Sequence, residues 1–439
     1  MKKETYIAAI EIGSSKITGA VGKYLPEENK LNVLAICQEP SKEAVRYGII
    51  QNPEEVAAKV DRIIENLNNN PAVTPRKIKS VYVGLSGRSL RSISTEVDLS
   101  YPEEVEITGT ILSNLRNDAT SIALESNTEI LALVPRDYKV DGMETTSPKG
   151  SMGKSIKAVF DVIVGRSELK RNIQRAFDRT GVEVKGLVIT PLATADVVLS
   201  DEEKRLGCML VDFGAETTSV SIYRRGSLFY YVTLPLGGRN ITIDLTTLKL
   251  LEERAEEIKC ESGRAVAPEN PSTLILSGIK LSDVNNLVVA RAEEIVANVV
   301  QQITYAGLKD KDLGAGIICI GGGSKLNGML ELLENQTGLN AKSGSLIRDI
   351  HTMESKAKRL DTIQTSAILY EGARLSEEDC LEAPIPEMED VDNDPDGFPD
   401  FENEPKPVRE GAGKRFLRNL STKLGNMFAA PSDEESELD

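Results

Sequence analysis

Tryptophan is absent from this 439-residue chain, histidine occurs once, and aromatic residues make up only 4% of it. With His351 alone, neither a histidine-rich metal centre nor histidine-based acid–base catalysis has the residues it needs, and the single imidazole is expected in a loop. Cysteine is sparse and scattered. Cys37, Cys208, Cys260, Cys319 and Cys380 show no C-x-x-C spacing, which argues against a zinc site and points to buried thiols in a reducing compartment. No apolar run approaches the roughly 20 residues of a membrane-spanning helix. The opening MKKETYIAAIEIG meets Glu11 too soon for a secretory signal, so a cytoplasmic body is expected. Positive charge is also in deficit, 52 Lys and Arg against 68 Asp and Glu, for a net charge of −16. A surface of that sign repels a phosphate backbone and disfavours non-specific nucleic-acid binding.

What is present is a soluble globular composition, 40% hydrophobic and 27% charged, on a chain long enough for two or more domains. Strand and helix patterns alternate, as in an α/β protein. Pro53 to Leu67 has helical spacing, VYVGLSG (Val81 to Gly87) reads as a strand ending in a turn, and Glu168 to Gly181 reads as a helix closed by glycine. The stretch IAAIEIGSSKITGAVG, Ile7 to Gly22, places Gly13, Ser14, Ser15 and Lys16 between two apolar runs, with Glu11 at the mouth. Gly13 lets successive N–H groups point into one space, where two hydroxyls and an ammonium join them. Such a turn is either an anion cradle or the polar tip of an ordinary hairpin.

About 200 residues later the pattern returns in GCMLVDFGAETTSVSIY, where Asp212-x-Gly214 repeats Glu11-x-Gly13. Two similar hairpins facing each other could clamp a polyphosphate from both sides. A third element, GIICIGGGSKLNGM (Gly316 to Met329), runs an apolar strand into three glycines and then a helix, where backbone can approach a ligand closely.

These three turns, in this order, resemble those of the actin-like ATPase superfamily, whose two duplicated halves close on a nucleotide. Within it, the EIGSSK start, the VYVGLSG strand, the VPRDYKVDG segment (Val134 to Gly142) and a basic amphipathic segment near the C-terminus are similar to the FtsA family of bacterial cell-division proteins. The resemblance covers the body from about residue 5 to 375. It implies an α/β fold of the duplicated, two-lobed actin-like (ribonuclease H-like) kind, with a small α/β subdomain inserted. The expected boundaries are 1–84, 164–207 and 355–375 for subdomain 1A, 85–163 for the insert 1C, 208–243 and 314–354 for 2A, and 244–313 for 2B. A disordered acidic linker (376–410), an amphipathic helix (411–431) and an acidic tail (432–439) follow.

The resemblance also implies the ligands, ATP and Mg²⁺, and the residues that meet them. Gly13, Ser14, Ser15 and Lys16 would contact phosphates from one half, and Gly214, Thr217 and Thr218 from the other. Asp212 would hold Mg²⁺ through water, which suits a cation that sheds its waters reluctantly. Asp212 and Glu11 are also the possible catalytic groups. Glu256 and Lys259, three apart and so on one helix face, would meet the ribose and base, with Gly321, Gly322, Gly323 and Lys325 closing the other side. Read without the resemblance, that pair is a solvated surface ion pair. The implied partners are the C-terminal peptide of the tubulin homologue FtsZ, with Arg291 on the helical stretch Leu281 to Ile303 receiving it, further copies of the chain in a filament, later division proteins and the lipids of the inner membrane. The expected location is the cytoplasmic face of that membrane at midcell.

Two departures from the superfamily pattern bear on chemistry. In ITPLATADVV, where efficient ATPases place a Glu or Gln to orient the attacking water, this chain has Thr190 before Pro191, so turnover is expected to be slow at most. In the second turn, Ala215 and Glu216 add bulk and negative charge, so either Glu216 turns outward or phosphate affinity falls.

The C-terminal region reads without any family. From Ser376 to Glu410, acids, prolines and asparagines dominate, a composition that reads as a tether, reaching roughly 30–35 Å as a flexible coil. In the following segment, Phe416, Leu417, Leu420, Leu424, Met427 and Phe428 recur on one helix face, flanked by Lys414, Arg415, Arg418 and Lys423. That pattern fits an interfacial membrane helix, or a helix for a partner's groove. The acids from Asp433 to Asp439 oppose part of its attraction to anionic lipid. The reading is a nucleotide-binding adaptor between membrane and division ring. Its alternatives are a pilus-assembly scaffold of the PilM kind and a soluble actin-fold kinase or ATPase.

Overall fold

The computed structural model describes residues 4–267, 275–276, 278–352, 361–376 and 378–382. The amphipathic helix at 411–431, the acidic tail and most of the 376–410 linker lie outside these residues.

The chain opens with β1 (Thr5–Ile12), β2 (Lys16–Leu25) and β3 (Lys30–Pro40), an antiparallel meander that starts with the expected hairpin. Helix α1 (Pro53–Asn68) follows, started by Asn52, whose side chain accepts the Glu55 N–H at 3.2 Å, and by proline in its first turn. Its apolar stripe, including Val56, Val60, Ile63 and Leu67, is buried in the core of the first lobe. The strand expected at VYVGLSG is β4 (Ser80–Leu85), parallel to β1.

The insert then runs through β5 (Arg91–Glu106), α2 (Gly109–Ala119), β6 (Thr128–Val140), β7 (Met143–Thr145) and β8 (Met152–Arg166). It carries its own small core of Ile107, Leu115, Ala119, Val140, Ile156, Ala158 and Phe160. The chain returns to the first lobe through α3 (Glu168–Phe177), which stops at Asp178 and short of Gly181, β9 (Glu183–Ile189) and α4 (Thr190–Val198).

The second lobe repeats the opening: β10 (Cys208–Phe213), β11 (Thr218–Arg224) and β12 (Ser227–Leu234) form another antiparallel meander. Helices α5 (Gly238–Thr246), α6 (Glu252–Ser262) and α7 (Leu281–Tyr305) pack into its core. Then come β13 (Ile317–Ile320), parallel to β10, α8 (Met329–Thr337), β14 (Ala341–Ser343), β15 (Ile350–Thr352) and α9 (Ile363–Leu375). The first lobe's sheet has the order β9-β4-β1-β2-β3-β15, and α9 returns to pack on β1 and α4.

Four expectations change. The insert is not a detached unit: its sheet joins that of the second lobe in the order β7-β6-β8-β5-β12-β11-β10-β13-β14, through a single pairing of Arg91 with Val232. Arg136 reinforces the junction, 3.2 Å from the buried Asp161 and 4.7 Å from the centre of the Phe229 ring. His351 lies in the edge strand β15, and Cys260 is exposed while Cys208, Cys319 and Cys380 are buried. The linker does not begin at Ser376. Leu381 pairs with Ile78 and Cys380 donates its N–H to the Tyr6 carbonyl at 2.7 Å, both side chains being buried, so a short apolar pair inside an acidic stretch extends the first lobe to Glu382.

Candidate functional site

The two repeated hairpins end in turns of one construction. The Gly13 N–H donates to the Lys16 carbonyl at 3.0 Å, and the Gly214 N–H to the Thr217 carbonyl at 2.9 Å. A Cβ at Gly13 would lie 3.0 Å from the Lys16 oxygen, and one at Gly214 2.7 Å from the Thr217 oxygen, so both turns need glycine for close approach. Glu11 and Asp212 occupy equivalent strand positions, opposite Thr18 and Ser219.

These two acids are close enough to feel each other's charge. Burial pushes the Glu11 carboxyl up to about 7, with Asp212 adding to the shift and Lys16 opposing it. Burial raises the Asp212 carboxyl as well, against a hydrogen bond from Gln364, whose Nε2 donates to Oδ2 at 2.8 Å. The other oxygen, Oδ1, is buried with no hydrogen-bond partner. A buried carboxylate oxygen without a donor is costly unless a cation or its water faces it. Among the described residues no group of three or more His, Cys, Asp or Glu gathers to form a full protein cage. Two acids, one with an unpartnered oxygen, match the donor chemistry of Mg²⁺, which keeps most of its waters and binds few protein ligands.

The triple glycine completes this floor. Strand β13 sets Ile320 beside Asp212, so the chain leaves the strand at Gly321 with φ +83°. A Cβ at Gly321 would come to 2.4 Å from Asp212 Oδ1 and one at Gly323 to 2.9 Å from Phe213 Cβ, while at Gly322 nothing lies within 4 Å. Gly321 and Gly323 are packing glycines, and Gly322 faces open space. Ser324 Oγ donates to the Gly321 carbonyl at 2.7 Å, and Lys325 pairs with Asp361 at 2.6 Å.

Glu256 and Lys259 share one face of α6 and pair at 2.6 Å. Thr242 donates its hydroxyl to Glu256, and Lys259 Nζ donates to the Gly238 carbonyl at 3.1 Å. Gly238 in turn donates its N–H to the Gly214 carbonyl at 3.0 Å, which joins the pair to the second turn. Lys259 and Thr242 hold the Glu256 carboxyl below its ordinary value, although burial acts the other way.

Other expected residues stand differently. Thr218 is fully buried and donates its hydroxyl to the Leu236 carbonyl at 2.8 Å, so it braces the turn instead of facing the cleft. Ser14 Oγ accepts the Gly48 N–H at 2.9 Å, while Ser15 stays exposed. Thr190 is buried at the start of α4, its hydroxyl without a partner. Glu216 does not turn outward; it is 3% exposed and ion-paired. Arg291 is on α7, away from these turns and not a free surface charge: its Nε lies 2.6 Å and its Nη2 3.0 Å from the Asp244 carboxylate, and Nη1 pairs with Glu294. Gln364 and Asp361 escaped sequence reading, because nothing local marks a residue that reaches the site from over 30 positions beyond the triple glycine. The residues from Lys414 to Phe428 lie outside the described residues.

The family described as an SHS2 domain inserted in FtsA matches residues 87–164, and the family described as cell division protein FtsA matches residues 209–362. The cell division protein FtsA of Porphyromonas gingivalis is 34% identical over 348 residues, covering 77% of this chain and 72% of that protein. The chain belongs to the FtsA family. FtsA of Neisseria meningitidis is 26% identical over 356 residues, covering 78% of this chain and 84% of its own length, and FtsA of Escherichia coli is 25% identical, covering 74% and 80%. The fold is the actin-like one: a solved PilM–PilN type IV pilus biogenesis complex aligns with a TM-score of 0.60 at 17% identity, covering 84% of this chain and 98% of that one. At that identity the pilus protein shares the fold alone, whereas FtsA relatives share the sequence. No described helix is long and apolar enough to cross a membrane.

Proposed function

We propose that this FtsA-family protein binds Mg-ATP between its lobes, polymerises, and tethers the FtsZ ring to the inner face of the cytoplasmic membrane, where it helps recruit later division proteins. The observation that carries the nucleotide reading is the unpartnered Asp212 Oδ1, within electrostatic reach of Glu11 and beneath the triple-glycine loop, in which Gly322 alone faces open space. Ser15 and the Lys16 ammonium from one lobe, and Thr217 from the other, offer donors to phosphates, while Gly13 and Gly214, whose N–H groups close the two turns, shape the backbone that carries them. Glu256 and Lys259 flank the ribose and base. Mg²⁺ would neutralise phosphate charge, with Asp212, and Glu11 when ionised, on its hydration shell. Thr190 supplies neither carboxylate nor amide to orient a water, so nucleotide acts chiefly as a ligand that closes the lobes and turnover is slow.

The adaptor role rests on family membership and on the sequence. The acidic tether and the apolar face from Phe416 to Phe428, flanked by Lys414, Arg415, Arg418 and Lys423, give weak single anchors that a polymer multiplies. Arg291 is the proposed contact for the FtsZ peptide. Titration calorimetry with Mg-ATP tests the nucleotide role. Wild type binds, and Asp212→Ala binds at least tenfold more weakly with Mg²⁺ present. Equal binding by the two proteins removes the role given to Asp212.

A further inference from the structure

The acid that crowds the second turn has a place of its own. Glu216 Oε2 accepts the Tyr47 backbone N–H at 2.6 Å, a bond across 169 positions from one lobe to the other. Its Oε1 lies 2.7 Å from Arg46 Nε of the first lobe and 3.1 Å from Arg239 Nη1 of the second. Arg239 reaches Glu43 at 2.9 Å and Glu252 at 2.8 Å, and Arg46 also pairs with Glu43 at 2.6 Å. Three acids and two arginines from both lobes thus share one network, with the Glu216 carboxylate buried at its centre.

The first-lobe side of this network is a short strap, residues 41–48, that touches both turns. Ser41 donates its N–H to the Ser15 carbonyl at 2.9 Å and its hydroxyl to the Gly13 carbonyl at 2.6 Å, and Gly48 donates to Ser14 Oγ at 2.9 Å. Between these anchors, Tyr47 takes φ +52°, a left-handed conformation uncommon for a tyrosine, and it is this residue whose N–H meets Glu216. A strained residue that presents its donor to a buried charge on the other lobe is held by that contact.

We propose that Glu216 is a latch across the cleft: it docks the strap on the second turn and keeps the lobes closed in the ligand-free protein, so that opening, and with it nucleotide exchange, requires breaking this buried network. Its consequence for exchange rests on the nucleotide reading, but the latch itself does not. The bulk and charge that break the usual small-residue pattern of the turn are then the device that replaces it. Removing the side chain leaves Arg46 and Arg239 sharing Glu43 and frees the Tyr47 amide.

Hydrogen exchange on the full-length, nucleotide-free protein, read at single-residue resolution, tests the latch. In Glu216→Ala the Tyr47 amide exchanges about tenfold faster or more, as loss of a charge-assisted bond implies. The Ser41 and Gly48 amides, anchored within the first lobe, stay within about twofold. Arg46→Ala, which removes the first-lobe cation and leaves Glu216 in place, accelerates Tyr47 in the same direction and serves if the first variant fails to fold. Unchanged Tyr47 exchange overturns the proposal, as does an equal acceleration of Ser41, Gly48 and the amides of β1, which marks general loosening. A second arm follows release of a fluorescent ATP analogue, faster from Glu216→Ala than from wild type. If the analogue binds neither protein, the nucleotide reading fails while the exchange comparison still decides the latch. If it binds both and leaves at the same rate, the latch does not gate exchange.

Discussion

A methyl group at Gly321 would sit 2.4 Å from Asp212 Oδ1 and 2.5 Å from the Phe213 carbonyl oxygen, on a residue with φ +83°. With ψ at 168°, this is a backbone region held almost only by glycine, which costs roughly 1–3 kcal/mol for an alanine, and forcing atoms into a packed site costs about 1–3 kcal/mol more. Gly321→Ala is therefore expected to destabilise the second lobe by about 2–6 kcal/mol, a fall in melting temperature of about 4 °C or more. The neighbouring Gly322→Ala has nothing within 4 Å of its new methyl group and no left-handed backbone, so its stability stays within about 1 kcal/mol of wild type. The same methyl projects into the space assigned to the nucleotide, so Gly322→Ala is expected to bind Mg-ATP about tenfold or more weakly while melting normally. Differential scanning fluorimetry with and without Mg-ATP reads both quantities. If Gly322→Ala keeps the full nucleotide-dependent shift, the ligand does not approach this loop. If Gly321→Ala melts like wild type, the packing argument is wrong.

The Glu11 carboxyl is raised from 4.5 to about 7, so the folded chain holds more protons than the unfolded one between those values, and this contribution is fully present below pH 4.5 and lost as pH rises through 7. In nucleotide- and metal-free protein, wild type should gain unfolding free energy relative to Glu11→Gln as pH falls from 8 to 5, by at most about 3 kcal/mol, and parallel pH profiles of stability would refute the coupling. Asp244→Ala leaves the Arg291 guanidinium paired with Glu294 alone and is expected to tighten binding of the FtsZ peptide by about fivefold, while Arg291→Glu weakens it. Fluorescence anisotropy that finds both variants equal to wild type removes Arg291 from that interface.

Sequence alone revealed the parts whose causes are local. The two hairpins were legible because apolar strands flank glycine turns, α1 because an apolar stripe of helical spacing runs from Pro53 to Leu67, and the triple-glycine loop because the Ile317–Ile320 strand runs straight into it. What escaped was assembled across the chain. Glu216 finds Tyr47 and Arg46 about 170 positions away, and Asp212 finds Gln364 152 positions away, so neither pairing leaves a spacing to read. The family resemblance implies Thr218 in the cleft, but the strand turns its hydroxyl to the Leu236 carbonyl. The insert's attachment to the second lobe is one ladder pair with a few polar contacts around it, among them Tyr231 N–H to Ser92 Oγ and the Arg136 pair, below what a hydrophobic pattern can signal. Cys380 and Leu381 were lost inside an acidic average, although two buried side chains suffice to carry the ordered chain to Glu382.

The most direct test of the adaptor reading is recruitment of FtsZ to anionic vesicles, measured by co-sedimentation with this protein and Mg-ATP present. The account predicts that FtsZ pellets only when the full-length chain is added, and that Phe416→Glu with Phe428→Glu leaves both proteins in the supernatant. Vesicle-bound FtsZ with the double variant equal to that with wild type, or a wild-type chain that leaves FtsZ in solution, would contradict it.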